Sequence, residues 1–171
     1  MFDLFSALLI QVPLTDHRSL FRTYPGTFST EEAIKVLADL KFTHVVRTPD
    51  PADPTRHLAT RTTTTFSMSA NMAKTLGTHF LNGRLAEDAV NPQNRTMKDK
   101  GIWRPTPKGK YMVQQFAKRA HVAIDHVLNA MTRIDSFKVF PLERLASDDR
   151  LAFNRNNLTN CFRVNILGPT P

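Results

Sequence analysis

The sequence predicts an α+β fold: a helical bundle with a β-hairpin arm and a short β closure. Three observations predict it. Apolar residues recur at helical spacing in several separate stretches. Ser29 and Thr106 head two of those stretches with N-capping chemistry. Short apolar runs bounded by Pro, Gly and Asn lie between the helices and read as strands and turns.

The element that defines the rest is TFSTEEAIKVLADL, residues 27–40. Ser29 and Glu32 form a capping box, in which the hydroxyl accepts from the third helical N–H and the carboxylate reaches back. Loss of such a cap costs about 1 kcal/mol. Ala33, Ile34, Val36, Leu37 and Leu40 give the helix one apolar face, and Phe28 folds back over its first turn.

The other elements follow in order. Phe2, Leu4, Phe5, Leu8 and Leu9 form one face of a first helix, which Pro13 ends at about Val12. Residues 20–24 read as a short strand, with Pro25-Gly26 as the turn of the arm. After Leu40, residues 41–46 form a strand. Pro49, Pro51 and Pro54 then predict an exposed loop, followed by an extended threonine segment over 60–65 that buries little. Ser67 caps a helix to about Leu81, with Met72, Ala73, Leu76 and Phe80 inward and Asn82-Gly83 as its stop. Residues 85–87 and 102–104 are the closing strands, and Trp103 is a core lid. Thr106 with Pro107 starts a helix to about Ala120 that buries Met112, Val113, Phe116 and Ala117. A weaker helix spans Asp125 to about Met131. Residues 137–142 are strand-like, 147–155 a charged loop, 161–164 apolar again and the tail irregular. The domain division is 1–120 for the main module, 121–164 for a helix-plus-strand extension, and 165–171 for the tail.

Composition narrows the function. The chain has 171 residues and a net charge of +8, which calls for an anionic partner: nucleic acid, membrane lipid or an acidic protein surface. The lone Cys161 excludes an intrachain disulfide and fits a reducing compartment. No apolar run approaches the roughly 20 residues of a membrane span. The apolar N-terminus has Asp3, no basic flank and no small-residue cleavage site, so it is read as part of the fold.

No catalytic constellation stands out. Walker, GxGxxG, GxSxG and HExxH motifs are absent. His121 and His126 are five apart and do not stack on one helical face; with no Cys or carboxylate cluster beside them, no metal or cofactor is expected. Cys161 has no base beside it in sequence and reads as a buried structural thiol. Glu31 and Glu32 suit a helix N-terminus, and Asp148-Asp149 a charged loop.

Certain segments carry a resemblance. Residues 13–18 (PLTDHR), 24–29 (YPGTFS) followed by 31–34 (EEAI), and 80–85 (FLNGRL) are similar to the arm, corner and closing turn of the DEP domain, a winged-helix-related fold. Residues 47–51, 62–68, 106–109, 141–144 and 161–164 resemble the N-terminal DEP region of fungal regulators of G-protein signalling, the developmental-regulator type. The likeness covers about residues 2–164, and on it residues 1–120 are the DEP-like domain. It implies a second DEP unit and an RGS box after Val164, neither of which this sequence holds. GTPase activation toward Gα is therefore not expected of this chain, and Gα is only an indirect partner.

What the resemblance implies is a non-catalytic targeting module, cytoplasmic and peripheral at membranes. It would dock on the cytoplasmic tail of a G-protein-coupled receptor or on anionic lipid. The candidate docking residues are Arg18 and Arg22 on the arm, and Lys108, Lys110, Lys118 and Arg119 on the later helix. The alternative is a winged-helix nucleic-acid binder reading through the helix from Ser67 to Leu81. That helix offers only Asn71, Lys74 and His79 as probes, fewer than a groove reader normally brings.

Overall fold

The apolar faces of the helices meet in a single core, and two β-hairpins project from it. The computed structural model describes residues 1–134, together with Leu145 and Thr159. The expected strand over 137–142, the loop over 147–155, the Cys161 thiol and the tail lie outside the described residues. The helices are α1 (Phe2–Gln11), α2 (Thr30–Ala38), α3 (Ala70–Asn82), α4 (Pro107–Ala120) and α5 (Asp125–Ala130). The strands are β1 (Thr15–Ser19), β2 (Arg22–Ser29), β3 (Leu40–Asp50), β4 (Asp53–Phe66), β5 (Ala86–Asp88) and β6 (Ile102–Pro105).

Local chemistry sets the helix starts. Ser29 N–H donates to Glu32 Oε2 at 2.7 Å and Glu32 N–H to Ser29 Oγ at 3.2 Å, completing the capping box of α2. Thr106 Oγ1 accepts from Gly109 N–H at the head of α4, with Pro107 at the first helical position. The cap of α3 is Ser69 rather than Ser67, and the buried face moves with it to Ala73, Gly77, Phe80 and Leu81. Met72, expected inside, is 59% exposed.

The core joins Phe5, Leu8 and Leu9 of α1 with Leu37 of α2, Phe80 of α3, Trp103 of β6 and Val113 of α4. Ile124, Val127 and Met131 on and beside α5 close it from another side. Phe5 meets Phe80 edge-on, with ring centroids 5.3 Å apart. Gly109 lets α4 approach β5: a Cβ there would lie 2.1 Å from the Leu85 carbonyl oxygen.

One sheet runs β1-β2-β6-β5 and is antiparallel throughout. Its β5-β6 part is the expected two-stranded closure, and the end of β2 joins it beside β6. β2 also continues outward to pair with β1 as the arm. The turn of that arm differs from expectation. Ser19 pairs with Arg22, so Leu20-Phe21 form the reversal. Pro25-Gly26 instead make a bulge within β2: the register slips between Thr15↔Thr27 and His17↔Tyr24, and Gly26 takes φ +63°. A Pro-Gly pair serves a bulge as well as a turn, because both need one residue at positive φ.

The second correction concerns residues 48–59. Apart from the turn at Pro51-Ala52 they are not a loop: β3 and β4 pair from Leu40↔Phe66 out to Asp50↔Asp53, giving a long two-stranded ribbon between α2 and α3, and the extended segment expected over 60–65 is part of β4. Threonine's extended preference is satisfied by cross-strand pairing, as in the Thr43–Thr63 hydroxyl contact of 3.1 Å. Pro49 and Pro54 are tolerated because both strands are edges. At the root, Phe42 packs on Phe66 and Phe116.

Candidate functional site

The six cations singled out in the sequence fall into two groups. Lys108 and Lys110 reach helix C-termini. Lys108 Nζ donates to the carbonyl of Gly83, the C-cap of α3, at 2.9 Å, and lies over the Phe2 ring. Lys110 Nζ donates to Met131, the C-cap of α5, and to Ile134, each at 3.1 Å. A cation there meets carbonyls left without helical partners and the negative end of the helix dipole. Arg119 pairs with Asp3 at 2.7 Å, which ties α4 to α1. These three have partners in the fold.

Arg18, Arg22 and Lys118 are exposed and make no such contacts among the described residues. Arg18 and Arg22 flank the reversal of the arm. Cross-strand partners share a face and successive pairs alternate. Ser19↔Arg22 and Arg18↔Thr23 therefore place the two guanidinium groups on opposite sides of the hairpin.

Sequence reasoning passed over the residues between them. Leu20 is 87% exposed and Phe21 95%. Leu20 also has φ +53°, a left-handed conformation that costs a residue with a Cβ about 1–2 kcal/mol. Asn or Gly would be the ordinary choice in such a turn. The signal available was the apolar Leu-Phe pair between two arginines in an otherwise polar segment.

The arm is fixed at its root. His17 Nε2 lies 3.0 Å from Glu32 Oε2, the carboxylate oxygen that caps α2, and its Nδ1 lies 3.0 Å from Thr27 Oγ1. The Thr27 hydroxyl donates to the Tyr24 carbonyl at 2.8 Å. The exposed end is thus borne on an anchored strand pair.

Elsewhere the surface offers less. On α3, Lys74 is paired with Asp99, whose carboxyl is held below the usual range by that hydrogen bond and charge. An open groove lined by Leu4, Met68, Met72 and Leu76, with Asn71, Thr75 and His79 as its polar groups, is predominantly apolar. Asp88 is nearly buried. Burial alone would push its carboxyl up, but bonds from Asn91 N–H, Asn94, Val90 N–H and Lys98 hold it below the ordinary value. This carboxylate organises the loop after β5. Among the described residues, no three His, Cys, Asp or Glu side chains gather as metal ligands would, and no helix is long and apolar enough to cross a membrane.

Residues 1–133 match the family described as the fungal-differentiation regulator winged helix domain. The chain is 37% identical over 163 residues to Developmental regulator flbA of Emericella nidulans, a match covering 94% of this chain and 23% of that protein. The chain thus spans less than a quarter of that relative's length. No solved structure matches it.

Proposed function

The chain belongs to the fungal-differentiation regulator winged helix domain family, and on that premise we propose that it is a DEP-type targeting module of G-protein signalling regulation. In this reading it is non-catalytic, cytoplasmic and peripheral. It docks at the membrane surface, on anionic lipid or on the cytoplasmic tail of a receptor, and so brings a regulator to Gα. The observation that carries the reading is the arm: Arg18 and Arg22 stand exposed on its two sides, while its root is locked to the cap of α2. Each arginine or lysine near an anionic leaflet contributes about 1 kcal/mol. Two or three such residues give weak, salt-sensitive recruitment. An extension leading to a further unit belongs to the same reading, but it begins after α5, because Ile124, Val127 and Met131 are core residues of the domain.

The test is vesicle flotation and receptor-tail pull-down across a salt series. Binding that fades with salt, and that falls at least several-fold on Arg18→Glu with Arg22→Glu at unchanged melting temperature, is the expected result. No binding to either at low salt would overturn the proposal.

Nucleic-acid binding is the second reading. It is favoured by the winged-helix family and by Lys41 and Arg47 of β3 and His57 of β4, which the register places on one face of the ribbon. The Lys74–Asp99 pair on α3 weighs against it. Sequence-selective duplex binding would move the assignment there.

A further inference from the structure

We infer that the end of the arm is an apolar wedge, in which Leu20 and Phe21 enter the acyl–headgroup boundary of an anionic bilayer. The inference rests on the targeting reading and adds the chemistry of the contact. Three observations support it.

The first is exposure. Leu20 and Phe21 are adjacent and 87% and 95% exposed. Single exposed apolar residues are ordinary, but two at the point of a projecting hairpin form a directed contact. The second is conformation. Leu20 adopts φ +53°, where a leucine strains the turn and contributes nothing to the core. Strain of that kind, kept where folding gains nothing, points to a role outside the fold.

The third is the setting. Residues 18–23 contain two arginines and no acidic residue. Arg18 and Arg22 lie one or two residues behind the tip, about 3–7 Å at strand rise. When the tip is at the depth of an interfacial apolar group, about 5–10 Å, both guanidinium groups reach the phosphate layer. Their placement on opposite sides of the hairpin allows both to do so together. A convex apolar tip flanked by two arginines suits fluid anionic lipid, which closes around it without a preformed socket and offers phosphates to both guanidinium groups.

The experiment uses the 171-residue chain with Phe21→Trp as the reporter. Trp103 is 1% exposed and serves as a constant core background. With phosphatidylserine vesicles, the position-21 emission should shift to the blue and be quenched by brominated acyl chains. In flotation, Leu20→Asn with Phe21→Ser, which keeps both arginines, should weaken binding about 10- to 100-fold. Its melting temperature should hold or rise, because an asparagine relieves the turn.

Vesicle binding without a spectral shift, or equal binding by the double variant, overturns the wedge and leaves charge-driven docking standing. A shift that needs a receptor-tail peptide and is absent on bare vesicles overturns the lipid assignment. Absence of binding to both vesicles and tail removes the wedge and the targeting reading together.

Discussion

The indole Nε1 of Trp103 donates to the hydroxyl of Thr30 across 2.9 Å, and both side chains are buried. Thr30 Oγ1 also accepts from Gly101 N–H at 3.1 Å and donates to the Lys98 carbonyl at 2.5 Å. One hydroxyl thus joins the first turn of α2 to β6 and to the loop before it. Thr30→Val keeps the shape and strands two buried donors. The expected loss is about 3 kcal/mol in urea unfolding, since each unpaired buried group costs about 1–3 kcal/mol. Thr30→Ser keeps the hydroxyl and should lose about 1 kcal/mol, the burial of one methyl.

Acid should loosen the loop after β5. The Asp88 carboxyl sits below its ordinary value in the folded protein, so its contribution to stability is complete above the ordinary carboxylate range. That contribution is lost as pH falls through the lowered folded value. Asp88→Asn should lower the melting temperature at neutral pH and flatten its acid dependence. The comparison of the two melting curves from pH 7 to pH 2 checks this. Parallel curves would mean that Asp88 has no part in the acid response.

The capping box should report on the arm as well as on α2. Ser29→Ala is expected to cost about 1 kcal/mol. Glu32→Ala removes the cap and the contact with His17 together. Amide exchange of residues 15–19 should therefore accelerate in Glu32→Ala and remain near wild type in Ser29→Ala.

The cations of α4 should separate by role. Lys110→Met removes the ammonium donor from the carbonyls of Ile134 and of Met131, the latter keeping the Ile134 N–H, and a loss of about 1 kcal/mol is expected, with vesicle binding within twofold of wild type. Lys118→Gln should do the reverse, changing stability by no more than about 0.5 kcal/mol and weakening binding at low salt. Melting curves and flotation on the same two proteins decide it.

The legible parts of this chain were those settled within a few residues. Ser29 with Glu32 and Thr106 with Pro107 declare helix starts by themselves, and the structure forms both. The ribbon was illegible because three prolines mask a strand pair, and its pairing is set by partners up to 26 residues apart, as for Leu40 and Phe66. Pro25-Gly26 misled because its chemistry suits a turn and a bulge alike, while the true turn at Leu20-Phe21 lacks turn residues altogether. The roles of Lys108 and Lys110 depend on carbonyls 25 and 21 or more residues away, which no local pattern reveals.

β2 runs from Arg22 beside the tip, through the bulge at Pro25-Gly26, to Ser29 at the head of α2. Its outer half pairs with β1, and its last two residues pair with β6 next to Trp103. The arm is therefore joined to the body through paired strands and not by a loop. Whatever grips its far end sets the tilt of the helical body, and so the direction in which any chain joined to that body is presented.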